Sequence, residues 1–123
     1  MELLVDPYRA ACRSRGVLDR IGDRWTVLII GAMASGEPLR FSDLLYGIEG
    51  ISQKMLTQNL RALERDGIVS RTVTPSSPVR IEYRLTTLGL SLLMPLAALR
   101  EWAVTHLGDV LEARQTHDIS LPQ

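Results

Sequence analysis

The chain has 123 residues and carries 14 basic and 14 acidic side chains, so its formal net charge is zero. A hydrophobic share of 46% and a charged share of 23% indicate one folded domain and exclude a disordered chain. Because the charges balance, only their local distribution can favour or exclude a polyanionic partner.

The sequence also lacks the patterns of membrane, export and metal sites. No run of about 18 apolar residues could span a membrane, and no basic segment precedes an apolar one at the N-terminus. The lone cysteine, Cys12, excludes an internal disulfide and a cysteine-rich zinc site, while His106 and His117 lack metal-binding spacing. We therefore expect a cytoplasmic protein with no membrane span, metal or cofactor.

The apolar pattern predicts a mainly helical chain with one small β-hairpin. The predicted elements, in chain order, are helices at 16–22, 25–34, 41–46 and 53–66, strands at 70–73 and 79–85, and a last helix from Thr86 to about Leu107. Ser52 is the expected N-cap of the fourth helix, and Gly67 is expected to end it in a left-handed conformation. Pro95 predicts a kink in the last helix, and the polar tail from Glu112 is expected to fray.

The fourth helix has two faces of different chemistry. Leu56, Leu60 and Leu63 recur at helical spacing and form an apolar face. The other face, here called the donor face, has no acid and consists of Lys54, Thr57, Gln58, Arg61 and Arg65. Lysine and arginine can bind phosphate or guanine, glutamine can bind adenine, and threonine offers a hydroxyl and a methyl group. Taken alone, this face also fits an ordinary solvated helix.

The order of the elements favours the DNA-binding interpretation of the donor face. A short helix, a tight turn and a second helix form a helix-turn-helix, whose second helix lies in the DNA major groove. A hairpin directly after that helix is typical of a winged helix. The region from Ser52 to Leu85 carries six basic and three acidic side chains, so it is positive within a neutral protein.

Several sequence blocks resemble the HxlR family of bacterial winged helix-turn-helix transcriptional regulators, which is related to the MarR proteins. They are Cys12, LDRIGDRWTVLII (18–30), GEPLRFSDL (36–44), GISQKMLTQNLRALERDGIVSRTV (50–73) and PVRIEYRLTTLG (78–89). The resemblance implies a cytoplasmic, nucleoid-associated homodimer that binds double-stranded DNA at an inverted-repeat operator and acts as a repressor. The DNA-binding residues that it implies are Arg40, Ser42, Ser52, Gln53, Lys54, Thr57, Gln58, Arg61, Ser76, Ser77 and Arg80.

The resemblance also implies that a single domain, 1–123, dimerises through both of its ends. The helix-turn-helix and wing would span about 36–89, and the dimerisation segments would be 1–15 and 90–110. The last helix agrees, because it carries more leucines than one face of a small domain needs. The expected interface residues are Leu3, Leu4, Tyr8, Leu96, Leu99, Trp102 and Leu107. The alternative is that Trp102 fills the core of a single chain against Trp25.

Cys12 stands where many members of the family carry a cysteine that senses oxidants or electrophiles. Arg13 follows it, whereas the family usually has proline there. Arg9, Arg13 and Arg15 are near in sequence, and cationic neighbours favour the reactive thiolate. With no second cysteine, a switch would use an intersubunit disulfide, a mixed disulfide or alkylation. The alternative is a buried and inert thiol.

Other classes of function are weaker. An enzyme is disfavoured because the chain has no Ser/His/Asp arrangement and no glycine-rich phosphate loop. A winged helix used only for protein contacts would carry apolar or acidic anchors where the donor face lies, and a salt-dependent DNA affinity would separate the two. A small-molecule inducer could bind between two subunits, but no set of residues specifies one.

Overall fold

The computed structural model describes residues 6–9 and 13–121, and the elements named below belong to that part of the chain. The helices are α1 Arg13–Ile21, α2 Arg24–Ala32, α3 Phe41–Gly47, α4 Gln53–Arg65, α5 Thr87–Leu90, α6 Leu93–Thr105 and α7 Leu107–Ser120, and the strands are β1 Val69–Thr74 and β2 Arg80–Leu85. The predicted fold class, mainly helical with a small hairpin, is confirmed. The chain divides into two compact units, Met1–Leu93 and Met94–Gln123.

Helix α2 is the buried centre of the first unit. Asp23 caps its start, because its carboxylate accepts the backbone N–H groups of Trp25 and Thr26 at 3.2 and 3.4 Å. Ile29 and Ile30 have no exposed surface, as expected for a helix that is apolar on nearly every side. The short preceding helix α1 begins at Arg13, three residues earlier than the sequence predicts.

Helix α4 begins and ends as its sequence predicts. The Ser52 hydroxyl oxygen accepts the Met55 backbone N–H at 3.1 Å and caps the helix. After Asp66, Gly67 adopts φ +74°, a conformation that glycine reaches without the steric cost of a Cβ atom. The apolar face is buried, with exposures of 0% for Leu56, 2% for Leu60 and 0% for Leu63.

The hairpin is anchored to the segment that precedes α3. Strands β1 and β2 pair in register from Val69 opposite Leu85 to Thr74 opposite Arg80. On its other side β2 meets a short extended segment, where Leu39 and Tyr83 exchange backbone hydrogen bonds of 2.8 and 2.7 Å. The hairpin is therefore fixed to the helix-turn-helix by backbone hydrogen bonds.

The C-terminal region differs from its prediction. The long helix expected from Thr86 to about Leu107 is interrupted at Ser91 and Leu92, between α5 and α6. Pro95 lies in the first turn of α6, where its missing N–H costs nothing, and its ring would clash with the carbonyl four residues back if the helix continued. The predicted kink is therefore a break that lies one turn before the proline.

The expectation that the tail frays from Glu112 is wrong. Helix α7 continues to Ser120. The reason is that its polar residues include the strong helix formers Glu112, Ala113, Arg114 and Gln115. Asp109 in the first turn is also favourable beside the positive end of the helix dipole. Polarity alone therefore does not predict an unfolded tail.

The last helices expose an unusual amount of apolar surface. Large apolar side chains with exposures of about half or more are Met94, Leu99, Trp102, Val104, Leu107, Leu111 and Ile119. By length and composition alone, Thr87–Thr105 could cross a membrane, with a mean hydropathy of 1.2, and only 11% of it is buried. Mostly buried core helices of soluble proteins can have the same length and hydropathy. An uncovered apolar surface of this kind also marks a binding surface.

Candidate nucleic-acid interface

The donor face of α4 lies on the surface opposite the buried leucines. Lys54, Gln58, Arg61 and Arg65 are exposed, and Thr57 is half-buried. Within residues 6–9 and 13–121, none of these basic groups has a carboxylate within 4.0 Å. Their charges are therefore not neutralised by the described residues and are available to a partner.

The N-terminal end of α4 adds to this surface. Ser52 and Gln53 are exposed there, in front of the backbone N–H groups that carry the positive end of the helix dipole. The Ser52 oxygen already accepts the Met55 N–H, so its own proton remains free to donate. This end of the helix is suited to a phosphate oxygen.

The structure brings four more of the predicted residues together at the hairpin tip. Arg40, Ser76, Ser77 and Arg80 line one cavity of about 370 Å³, here called the wing-tip cavity. The Leu39–Tyr83 pairing places Arg40 there, because Arg40 follows the bridged residue directly. Neither guanidinium forms an ion pair in the described part of the chain, although Glu82 also lines the cavity, so its lining carries two positive charges and one negative charge.

The remaining predicted residue of this group, Ser42, is exposed on the first turn of α3. Asp43 in the same turn accepts the backbone N–H of Arg40 at 2.8 Å. That hydrogen bond fixes the start of α3 and involves the backbone of Arg40 rather than its side chain. Arg40 and Ser42 therefore both lie at the start of α3, where the backbone is held in place.

Two residues near the donor face were not predicted as functional. Arg71 on β1 and Tyr83 on β2 line a second cavity, of about 390 Å³, together with Thr57 and Arg61 of α4. Arg71 contributes to the positive charge of the region from Ser52 to Leu85, but its position in the sequence indicates no particular role. The pairing of Arg71 with Tyr83 across the hairpin could have been inferred, but their approach to α4 depends on how the hairpin packs.

The residues predicted for dimerisation and sensing differ in whether the structure describes them and in how exposed they are. Cys12, Leu3 and Leu4 lie outside the residues that the structure describes. Among the others, Tyr8 is 93% exposed, and Leu99, Trp102 and Leu107 are each slightly more than half exposed, whereas Leu96 is 7% exposed. Leu96 therefore has little surface left to offer a second chain.

The alternative role for Trp102, as the filler of a single-chain core, does not agree with its 55% exposure. The indole instead stacks on the imidazole of His106, with ring centroids 4.8 Å apart. An exposed tryptophan carries a large apolar area that water solvates poorly. It is a surface residue in the single chain.

Comparison with known proteins gives the family. The model of HxlR-like helix-turn-helix proteins matches residues 20–110. YtfH of Escherichia coli (strain K12), named as an uncharacterized HTH-type transcriptional regulator, is 46% identical over 107 residues, which are 87% of this chain and 84% of that protein.

Solved structures agree with this assignment. The transcriptional regulator YtfH from Salmonella typhimurium matches with a TM-score of 0.82 and 42% identity, over 89% of this chain and 97% of that one. The redox regulator HypR in its oxidized form matches with a TM-score of 0.69 and 36% identity, over 76% of this chain and 96% of HypR. All three relatives are named as regulators. The chain therefore belongs to the HxlR-like helix-turn-helix family and is a transcriptional regulator of the helix-turn-helix type.

Proposed function

We propose that the protein is a repressor that binds an inverted-repeat DNA operator as a homodimer. Helix α4 would enter the major groove with Lys54, Gln58 and Arg61 toward the bases and phosphates. The side chains that line the wing-tip cavity would contact the DNA backbone beside that groove. The observation that carries the proposal is the exposed face of α4, whose basic side chains have no carboxylate partner among the described residues.

We also propose that different segments of the chain bind DNA and join the two subunits. The helix-turn-helix and wing, at about 36–89, bind DNA, and the segments 1–15 and 90–110 join two subunits. A two-fold dimer would place its two α4 helices about one turn of DNA apart, which is why the operator is expected to be an inverted repeat. The exposed apolar side chains of α6 and α7 support this division, because a second subunit would remove them from water.

A winged helix that binds only protein is the competing function. Its contact surface would be centred on apolar or aromatic anchors. The exposed face of α4 instead carries lysine, glutamine and arginine, which favours DNA. A DNA affinity that falls steeply with salt would support the proposal, and an affinity for duplex DNA that is absent even at low salt would support the competitor.

The first experiment is a genome-wide pull-down of DNA by the purified protein, reduced and oxidised, near physiological salt. One inverted-repeat motif enriched only by the reduced protein would support both an operator and a thiol switch. The same motif in both samples would keep the operator and point to a small-molecule inducer. No enriched motif in either sample would overturn the operator and favour the protein-binding alternative.

We further propose that Cys12 switches the regulator through thiol oxidation or alkylation. Cys12 is the only cysteine of the chain, and arginines flank it in sequence at positions 9, 13 and 15. The similarity to the redox regulator HypR supports a thiol switch in this chain as well. With a single thiol per chain, the oxidised product would be an intersubunit or mixed disulfide.

The variant Cys12→Ser is expected to bind operator DNA as tightly as the parent and to lose its response to oxidant. The reason is that serine preserves the size of the side chain but cannot form a disulfide. Fluorescence anisotropy with and without a thiol oxidant measures both properties. A serine variant that still releases DNA under oxidant would exclude Cys12 as the sensor.

A further inference from the structure

The cavity between α4 and the hairpin, here called the α4–hairpin notch, has the composition of an anion site. Its volume is about 390 Å³, and its lining is Phe41, Thr57, Leu60, Arg61, Glu64, Arg71 and Tyr83. Two guanidinium groups and two hydroxyl groups come from three separate elements, α4, β1 and β2. The notch therefore gathers donors that are far apart in sequence.

Among residues 6–9 and 13–121, the donors of the notch have no hydrogen-bond or ion-pair partner. In the described residues, neither Arg61 nor Arg71 forms an ion pair, even though Glu64 lines the same cavity. The hydroxyl groups of Thr57 and Tyr83 likewise make no hydrogen bond to any described residue. Two unpaired guanidinium groups that line one cavity are available to an anionic partner from outside the chain, which they can bind through charge-assisted hydrogen bonds.

The hairpin side of the notch is held rigidly. Arg71 and Tyr83 are directly opposite each other in the β1–β2 register, so their side chains lie on the same face of the hairpin. The backbone of Tyr83 is also fixed from its other side, because its N–H and C=O both bond to Leu39. A ligand would therefore bind to two side chains, Arg71 and Tyr83, whose backbone is held in place before the ligand arrives.

The charge of the notch matches a singly charged anion. Arg61 and Arg71 contribute two positive charges and Glu64 one negative charge, which leaves one positive charge in the cavity. A phosphodiester carries one negative charge and several acceptor oxygens, and guanidinium groups bind it in a bidentate manner. Glu64 would disfavour an anion of higher charge at the same place.

We propose that the notch holds one phosphodiester of the DNA backbone, bound by Arg61 and Arg71 and by the hydroxyl groups of Thr57 and Tyr83. This inference rests on the proposed DNA-binding function. DNA is the source favoured by position, because Thr57 and Arg61 also belong to the donor face, and the phosphates of a bound duplex line both edges of the groove that holds the helix. The body of the hairpin, and not only its tip, then contacts DNA.

The test measures the salt dependence of DNA affinity for the full-length protein. The probe is a mixed-sequence duplex of about 30 base pairs, or roughly three helical turns, titrated between roughly 50 and 200 mM salt. Arg71→Gln is expected to weaken binding about tenfold or more. It should also reduce the steepness of log affinity against log salt by about 0.9, the value for one phosphate contact.

The chain offers matched controls for charge and for folding. Arg84→Gln removes the same charge from the neighbouring position of Tyr83, on the opposite face of the hairpin, and should leave the slope at the parent value. Arg71→Lys keeps the charge and should restore the slope while losing part of the affinity. Tyr83→Phe should weaken binding severalfold with an unchanged slope, because it removes a neutral donor.

The outcomes separate this inference from the proposed function. If the parent fails to bind duplex DNA at low salt, the DNA-binding function itself is overturned and the notch inference falls with it. If the parent binds but Arg71→Gln keeps its affinity and slope, or matches Arg84→Gln, the notch inference alone is overturned. Binding of inorganic phosphate at constant ionic strength that Arg71→Gln abolishes, with DNA affinity unchanged, would reassign the notch to a free anion.

Discussion

The buried Asn59 shows how single residues orient the proposed DNA-binding helix. Its exposure is 5%, and its amide nitrogen donates to the Met55 carbonyl of its own helix at 2.8 Å. Its amide oxygen accepts the hydroxyl proton of Thr26 on α2 at 3.3 Å. Apolar packing between α2 and α4 would allow one helix to slide or turn against the other, whereas this hydrogen bond requires a defined geometry. The polar pair therefore fixes the rotation of α4, and with it the direction of the donor face.

Thr26→Val is expected to lower the free energy of unfolding by about 1–3 kcal/mol, because it leaves the buried Asn59 oxygen without its donor. Thr72→Val, an exposed threonine on β1, is the matched control and should change stability by about 0.5 kcal/mol or less. Urea denaturation at one fixed protein concentration measures both. Equal stability of the parent and Thr26→Val would show that the hydrogen bond contributes nothing.

At the scale of elements, the short helix α5 ties the end of α4 to the hairpin. The Thr86 backbone N–H donates to the Ile68 carbonyl at 3.0 Å, and the Thr86 oxygen caps α5 by accepting the Gly89 N–H at 3.1 Å. Gly89 packs directly on the backbone of Ile68, where a Cβ atom would conflict with the carbonyl oxygen. The glycine is therefore required by a close approach between two backbones and not by its own torsion angles.

Gly89→Ala is expected to destabilise the fold by about 1–3 kcal/mol, since the added methyl group meets rigid backbone rather than a flexible side chain. Gly108→Ala is the control, because Gly108 is also helical and, apart from its chain neighbours and its own helix backbone, no described atom lies within 4 Å of the place that its added methyl group would take. That substitution should leave stability unchanged or raise it by up to about 1 kcal/mol. Thermal unfolding followed by circular dichroism compares the two, and similar effects would contradict the packing argument.

At the scale of the whole molecule, the apolar surface of α6 and α7 favours contact with a second chain. None of the residues of α7 is buried, and α6 buries only Leu96. Isolated helices of about 14 residues are marginally stable in water, so such helices need a packing partner. We expect Tyr8, Leu99, Trp102 and Leu107 to contribute to that contact, with Leu96 supporting it from below the surface.

Trp102→Ala is expected to weaken the homodimer at least about tenfold, because a large aromatic side chain at an interface commonly accounts for about 2 kcal/mol or more. Tyr46→Ala, which removes an aromatic side chain that is 84% exposed on α3, should leave the dimer intact. Sedimentation velocity over a range of protein concentrations gives the association constants. A monomeric parent, or a Trp102 variant that dimerises normally, would contradict the proposed interface.

Local patterns in the sequence were enough for most of the first unit. Helical spacing placed the leucines of α4 inside, as the structure has them. The capping of α4 and its glycine terminator were also predictable, because each depends on one side chain and its own turn. The C-terminal helices were predicted less well, since the end of a helix without a strong stop signal depends on small differences in propensity.

The sequence by itself determined the elements of the first unit, the donor face and the family resemblance, because these follow from the spacing of residue types along a single chain. Only the tertiary structure decided which residues that are distant in sequence lie next to each other. It placed Arg40 beside the hairpin tip and Arg71 beside Arg61, through the backbone bridge between Leu39 and Tyr83 and the packing of the hairpin on the helices. Contacts between residues that are far apart in sequence cannot be read from a local pattern. They result from hydrophobic packing of whole elements, which leaves no periodic pattern in the contacting residues.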